Sequence, residues 1–283
     1  LYAAIVGGLI ISLLGGSRFQ IGGPAGAFIV LVAAVVDKAG LDGLLLVTLM
    51  AGVMIFLLGA FRLGTYIKYV PHPVTVGFTA GIAVIIFASQ IKDLMGLTLH
   101  GLEPGELIAK IETLWAAGGT LNPAAVTVSA GAIALIVVLR KLKPHWPGFL
   151  IAVALAALAA WAFKLPVETI HSRFGELPHT LPAPSLPPFR FEKARALFPD
   201  ALAFALLGSI ESLLSAVVAD SMTGRRHRSN MELVAQGIAN IFCAIFGAIM
   251  ATGTIARTAT NVRAGVRTPV AGILHSLFIL LFM

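Results

Sequence analysis

Two ionisable residues stand where the surrounding sequence is otherwise apolar, and they set the chemical question. Arg257 lies in Met250–Arg267, M-A-T-G-T-I-A-R-T-A-T-N-V-R-A-G-V-R, a stretch of small and hydroxylated residues between the apolar blocks Ile238–Ile249 and Pro269–Met283. Glu211 lies mid-run in A-L-L-G-S-I-E-S-L-L-S-A-V-V-A-D. An arginine within a lipid span is costly, so it persists where it faces protein, water or an anion. Its guanidinium forks naturally onto carboxylate or oxyanion oxygens. A carboxylate at membrane depth carries a proton, ligates a cation or pairs with a buried arginine. A static Glu211–Arg257 ion pair is therefore one reading of these residues, and transport chemistry is the other. Positions 208, 211, 212 and 215 share a helical face, so Gly208, Glu211, Ser212 and Ser215 make a polar stripe through an apolar helix.

Such groups need elements that hold them at depth. The Met250–Arg267 stretch reads as a broken, half-length helix starting after Thr254. A second candidate is G-G-S-R-F-Q-I-G-G-P-A-G-A-F at residues 15–28, in which Gly22-Gly23-Pro24 opens a helix, since proline suits the first turn. Ser17–Ile21 before it reads as short and extended. From Pro24 only ~13 residues remain before Asp37, about 20 Å of helix, too short to cross a bilayer. An uninterrupted span beginning at Arg18 is the alternative, because glycine and proline are common in membrane helices. A half-helix that begins at mid-membrane exposes N–H groups that neither water nor lipid can satisfy, and its end carries the positive pole of the macrodipole. Two such ends facing each other form a dehydrated anion site. Ala25, Gly26 and Ala27 would supply one end, and Thr254, Ile255, Ala256 and Arg257 the other.

The rest of the chain fits a membrane setting. Hydrophobic residues make up 58% and charged residues 12%, against roughly a quarter charged in soluble domains, and several runs approach the ~20 apolar residues that span a bilayer. Apolar spans are expected at Leu41–Phe61, Val74–Ile91, Asn122–Leu139, Trp146–Phe163, Ala201–Val218 and Leu233–Ile249, with another beginning at Thr268. Pro71 and Pro73 punctuate the break before the second of these, Lys92–Leu121 is an amphipathic connection, and Pro166–Pro199 is a polar, proline-rich loop. The net charge of +7 comes from clusters in short loops, among them Arg62/Lys68, Arg140/Lys141/Lys143 and Arg225/Arg226/Arg228. Alternating spans place these clusters on one side, the cytoplasmic one. No basic face interleaved with aromatics marks a nucleic-acid binder. Cys243 is alone, so neither a disulfide framework nor a cysteine metal site is expected. His72, His145 and His227 fall in cationic loops, and His275 reads as packed or pore-facing; no metal or cofactor motif, nucleophile elbow or Walker loop occurs. An enzyme is not expected. Gln236 and Asn240 read as interhelical hydrogen-bonding residues. Leu1 and Met283 both sit inside apolar runs, so the chain is expected to be an internal piece of a longer membrane protein. On this alternation the short helix after Pro24 runs outward and the one after Thr254 inward, the signature of an inverted-repeat transporter with a midplane site.

The strings S-R-F-Q-I-G-G-P-A-G-A-F, G-S-I-E-S-L-L-S-A-V-V-A-D-S-M-T-G and T-G-T-I-A-R-T-A-T-N-V-R-A-G resemble the SulP (sulfate permease) family, whose animal members are the SLC26 anion transporters. The resemblance runs through the whole chain and is nearest to the bacterial branch that includes the C4-dicarboxylic acid transporter of enteric bacteria. It implies an all-α polytopic membrane protein, part of a UraA-like 7+7 inverted-repeat transporter, with two half-helices preceded by short extended segments. Core helices would be 1–62 and 200–283, gate helices 63–165, and 166–199 an extracytoplasmic loop, with a STAS domain and further helices outside this chain. It implies a secondary transporter of sulfate or dicarboxylate type in the bacterial inner membrane, dimeric at full length. The transported partner would be a small inorganic or carboxylate anion. Carried over by position, Ala25–Ala27 and Thr254–Arg257 match the anion-site segments. Glu211 matches the acidic position linked to proton or sodium coupling, and Ser215 a hydroxyl one turn later. Glutamate leans toward the proton, whereas aspartate there would suggest a sodium-coupled bicarbonate member. Ala256 departs from some animal members, which carry serine. A bicarbonate/chloride exchanger, an anion channel of the same fold and a nucleobase permease are the alternatives.

Overall fold

A computed structural model describes residues 1–69, 72–99, 101, 103–104, 106–143, 146–176 and 178–283. Pro71 and His145, read above in the breaks between spans, lie outside the described residues. In chain order, a π-helical turn (Ala3–Gly7) runs into α1 (Gly8–Leu14), followed by an irregular segment and the two-residue strand β1 (Gly22–Gly23). A 3₁₀ turn, Gly26–Phe28, then opens α2 (Ile29–Ala60). Next come α3 (His72–Met95), α4 (Leu107–Ala116), α5 (Pro123–Leu142), α6 (Gly148–Ala162), α7 (Ile170–Phe174) and α8 (Phe191–Ala196). The chain continues with α9 (Phe198–Thr223), α10 (Ser229–Ile245), strand β2 (Thr252–Gly253), α11 (Ile255–Arg263) and α12 (Val270–Leu281). Among the described residues, three helical runs, Gly26–Ala60, Pro123–Leu142 and Phe198–Thr223, are long and apolar enough to cross a membrane.

The first of these runs is two helices. Gly40 sits at φ 71° and ψ −175°, a left-handed conformation that glycine adopts without steric cost and that interrupts the helical hydrogen bonds. Residues 26–39 therefore form a separate helix of about 20 Å. Ala25 caps it in extended conformation, φ −117° and ψ 141°. The expected half-helix is present, shifted slightly: it starts after Pro24 and runs past Asp37 to the glycine. The uninterrupted span from Arg18 is ruled out, because residues 15–21 are irregular and residues 22–23 are a strand.

The described chain forms two compact units, residues 1–78 with 178–283, and residues 79–177. In the first unit, α2 beyond Gly40 packs along α9 and α10, enclosing Leu44, Leu46, Val47, Ala51 and Ile55 with Ala201, Phe204, Leu233 and Met250. Small residues let the backbones touch: a Cβ on Gly52 would stand 2.8 Å from the Ile241 nitrogen, and one on Gly237 would meet Phe56. Phe28 in the opening turn of the half-helix packs on Phe204 of α9, ring centroids 5.4 Å apart, which seats the half-helix on that neighbour.

In the second unit α5 packs on α6. Asn122 caps α5, accepting from the Ala124 and Ala125 N–H groups (3.0 and 3.4 Å), with Pro123 at the first helical position. The stretch read as an amphipathic connection carries α4, whose Lys110 is only 2% exposed because it pairs with Glu103 (2.9 Å) and donates to Ser89 Oγ (2.6 Å). The proline-rich stretch 166–199 carries the short helices α7 and α8.

Candidate functional site

The two extended segments meet. β1 and β2 pair antiparallel, Gly22 opposite Gly253 and Gly23 opposite Thr252. Antiparallel pairing sends the helices that follow, residues 26–39 and α11, away from the ladder in opposite senses. The ladder is lengthened by one rung on the α11 side. There the Thr254 N–H and Oγ1 both donate to the Ile21 carbonyl (3.0 Å each), and the Ile21 N–H donates to Thr258 Oγ1 (3.2 Å). Asn261 Nδ2 donates to the Phe19 carbonyl (2.9 Å). Glycine is required at 253, since a Cβ there would fall on the Gln20 side-chain amide.

The sequence-predicted site residues gather around this crossing. Ala25, Gly26 and Ala27 are half-buried at the start of the first short helix. Thr254 is buried and caps α11 at φ −92° and ψ 122°, while Ile255 is half-buried and Ala256 and Arg257 are exposed. Arg257 reaches back over the other arm: a Cβ built on Gly23 would stand 2.5 Å from Arg257 Nη1. The guanidinium thus lies against β1, and the first-turn N–H groups of both helices open nearby without helical acceptors.

Glu211, 5% exposed, sits behind β2 and accepts from Thr252 Oγ1 (3.2 Å). No ion pair within 4.0 Å joins it to Arg257 among the described residues. Thr252 takes the carboxylate, and Gly23, its ladder partner, takes the guanidinium. The static-pair reading is therefore not what the structure holds. Ser215, fully enclosed, donates to Thr258 Oγ1 (3.1 Å) and braces α11 against α9. His275 is half-buried, with its Nε2 enclosed and without a hydrogen-bond partner.

Of the support around the crossing, sequence reasoning reads Gln236 and Asn240 as hydrogen-bonding residues and misses Gln20 and Glu232. Gln20 Nε2 donates to the Ser212 carbonyl and Oγ (3.1 Å each). Glu232, fully enclosed, accepts from Ser212 Oγ (3.1 Å). Asn240 grips Ala251 just before β2, donating to its carbonyl (2.9 Å) and accepting its N–H (2.8 Å). Gln236, with its amide turned to suit its neighbours, donates to the Ala251 carbonyl (3.0 Å) and accepts the Gly253 N–H (2.9 Å). A signal existed: 232, 236 and 240 recur every fourth residue and so share one face of α10. Glu232 was passed over because it sits at the edge of the apolar run beginning at Leu233.

The architecture and the crossing define a class, a multi-pass all-α membrane protein in which two broken helices of opposite sense start from one ladder of crossed strands. This chain belongs to the sulfate permease family, whose profile matches residues 1–283. It is 44% identical over 289 aligned residues to the "Putative sulfate transporter YvdB" of Bacillus subtilis, covering 100% of this chain and 53% of that protein. It is 31% identical over 294 residues to the "Bicarbonate transporter BicA" of a Picosynechococcus species, covering 99% and 51%. The chain spans about half the length of these curated relatives. Among solved structures, the transmembrane domain of a cyanobacterial BicA superposes with TM-score 0.80 at 28% identity, over 99% of this chain and 73% of that one. Murine Slc26a9 in its inward-facing state gives TM-score 0.80 at 19% identity, over 99% and 50%. The fold is that of these transmembrane domains, the UraA-like plan of two inverted seven-helix repeats.

Proposed function

We propose that this chain is part of a secondary active transporter for small anions that works by alternating access. Its anion would lodge at the crossing, held by the first-turn N–H groups of 26–27 and 255–257 and by Arg257; the Phe28 N–H is taken by the Ala25 carbonyl (3.2 Å). The observation that carries the reading is the β1–β2 pairing, which brings both helix starts to one place with a guanidinium laid across Gly23. Aligned N–H groups and a fixed cation in a water-poor setting bind negative charge without reorganisation. Sulfate is the first substrate to test, given the name of the 44% identical relative, and bicarbonate the second, given the names of BicA and its solved transmembrane domain. Glu211 would take up a proton as the anion binds, releasing Thr252 behind the ladder. Residues 1–62 and 200–283 would act as the core, 63–165 as gate helices and 166–199 as an extracytoplasmic loop. The setting would be the bacterial inner membrane and the full-length protein a dimer.

The test is uptake of labelled sulfate by the full-length protein in proteoliposomes, with bicarbonate and succinate as competitors at two external pH values. Saturable uptake, lost in Arg257→Ala and faster at low external pH, is the expected result. Glu211→Gln should abolish the pH dependence, because the amide mimics the protonated carboxyl. Normal transport in both variants would remove the site; current far above carrier turnover would make the protein a channel. Uptake of a neutral nucleobase in preference to any anion would instead make it a nucleobase permease.

A further inference from the structure

The transport reading leaves one enclosed carboxylate without a task. Glu232 lies in the first turn of α10, is 0% exposed, and among the described residues no lysine, arginine or histidine side-chain nitrogen stands within 4.0 Å of its carboxylate. Its partners are all donors. Oε2 accepts the backbone N–H groups of Gly16 (2.8 Å) and Ser17 (3.1 Å), and Oε1 faces the Ser212 hydroxyl (3.1 Å). The strap is closed on its other side by the Arg228 N–H, which donates to the Gly16 carbonyl (3.1 Å). There is no slack in this seat: a Cβ on Gly16 would collide with the Arg228 carbonyl, and one on Gly15 would stand 3.1 Å from Glu232 Oε2.

What the seat holds is the root of the first arm. From Ser17 the chain runs four residues to Ile21, then through β1 to Ala25. Midway, Gln20 is fixed to Ser212, the same serine whose hydroxyl faces Glu232. One carboxylate therefore secures both the base of the extended segment and the serine that pins its middle. Ser212 is also the neighbour of Glu211 on α9.

We infer that Glu232 is a positioning residue for the anion site: it sets the height of β1, and hence the aim of the N–H groups at 26–27, without touching the anion. The inference rests on the transport reading above. Backbone donors bind an anion only where their geometry is fixed, and displacements on the order of 1 Å carry large penalties. A carboxylate suits the seat because it accepts from several donors at once, and hydrogen bonds to it are stronger than neutral ones. Truncation would leave two enclosed N–H groups unpaired. Glutamine keeps the shape and one carbonyl oxygen for the backbone pair, and its amide would let Ser212 turn its hydroxyl to Gln236.

The experiment uses the full-length protein with labelled sulfate, bicarbonate and succinate, and hydrogen exchange of residues 16–23 in the detergent-solubilised protein. In Glu232→Ala the KM for the transported anion should rise about tenfold or more, the factor one lost charge-assisted hydrogen bond carries. The kcat per folded transporter should fall less, and exchange at 16–23 should quicken. Glu232→Gln should recover most of both. If Glu232→Ala yields no folded protein, Ser212→Ala, which removes the hydroxyl bonded to Glu232 and Gln20 but leaves Gln20 on the residue 212 carbonyl, should show a smaller rise in KM of the same kind. An unchanged KM, with only folded yield reduced, would overturn the inference and leave transport standing. If wild type moves none of the three anions, the transport reading fails and takes this one with it.

Discussion

The two short helices begin at one ladder, yet they are built from different chemistry. The first, residues 26–39, offers no polar side chain at its start: Ala25, Gly26 and Ala27 lead into Phe28, which is buried against Phe204. The second, α11, is studded with polar groups. Thr254 and Thr258 hold Ile21, Asn261 holds Phe19, and Arg257 crosses to the far arm at Gly23. Inverted topology has thus produced a symmetric backbone and an asymmetric division of labour. The first arm contributes N–H groups and space; the second contributes charge and the bonds that fix both arms. Changes in the second arm should therefore act on binding and assembly, and changes in the first should act through sterics alone.

The largest effect should come from Arg257. In Arg257→Ala, transport should fall about ten- to a hundredfold, because losing a charged hydrogen-bond donor to the anion costs ~1.5–3 kcal/mol. Arg257→Lys should recover only part of it, since an ammonium lacks the planar fork. Initial uptake rates per folded transporter in proteoliposomes measure both.

The two ladder glycines sharpen the comparison next. At Gly253 an added methyl would strike the Gln20 amide, which is itself bonded to Ser212, so Gly253→Ala should destabilise the protein by ~1–3 kcal/mol, read as a lower midpoint in detergent melting. At Gly23 the added methyl would meet only the end of the exposed Arg257 side chain. Gly23 also stands at φ 158°, a backbone conformation that residues with a Cβ rarely adopt, so Gly23→Ala should lower the midpoint too, but should weaken anion binding more than Gly253→Ala does. Anion binding weakened more by Gly253→Ala would mean the guanidinium is not the ligand-facing group.

Much of this was legible in the residues. Gly-Gly-Pro before a short apolar run, and Thr-Gly-Thr before a short polar one, announce broken helices because backbone rules govern helix starts. The polar stripe on α9 follows from helical periodicity, and its four positions are indeed buried together on one side. What periodicity could not supply was partnership. Glu211 and Arg257 look like a pair in one dimension, but Thr252 and the crossing of two strands far apart in sequence assign them different neighbours. Glu232 sits at the rim of an apolar run, where an acidic residue ordinarily faces water, and only the return of residues 16–17 encloses it. Nor could the end of the first short helix be placed from Asp37, because the break is a matter of backbone conformation at Gly40.

The smallest effect should come from Ala256, where the resembling animal transporters carry serine. The residue is exposed beside Arg257 in the first turn of α11 and its Cβ has open surroundings, so Ala256→Ser should be accommodated without loss of stability. The added hydroxyl offers an anion one neutral hydrogen bond, about 0.5–1.5 kcal/mol, and so a change of roughly two- to tenfold in affinity. Because a hydroxyl both donates and accepts, it should favour bicarbonate, which carries a proton to share, over sulfate. The competition ratio of the two anions measures this directly. The matching change on the first arm, Ala25→Ser, falls at the cap of the first short helix rather than inside its first turn and should move the ratio less; an equal shift from both would mean that the two arms contribute alike and that the asymmetry is one of architecture rather than of binding.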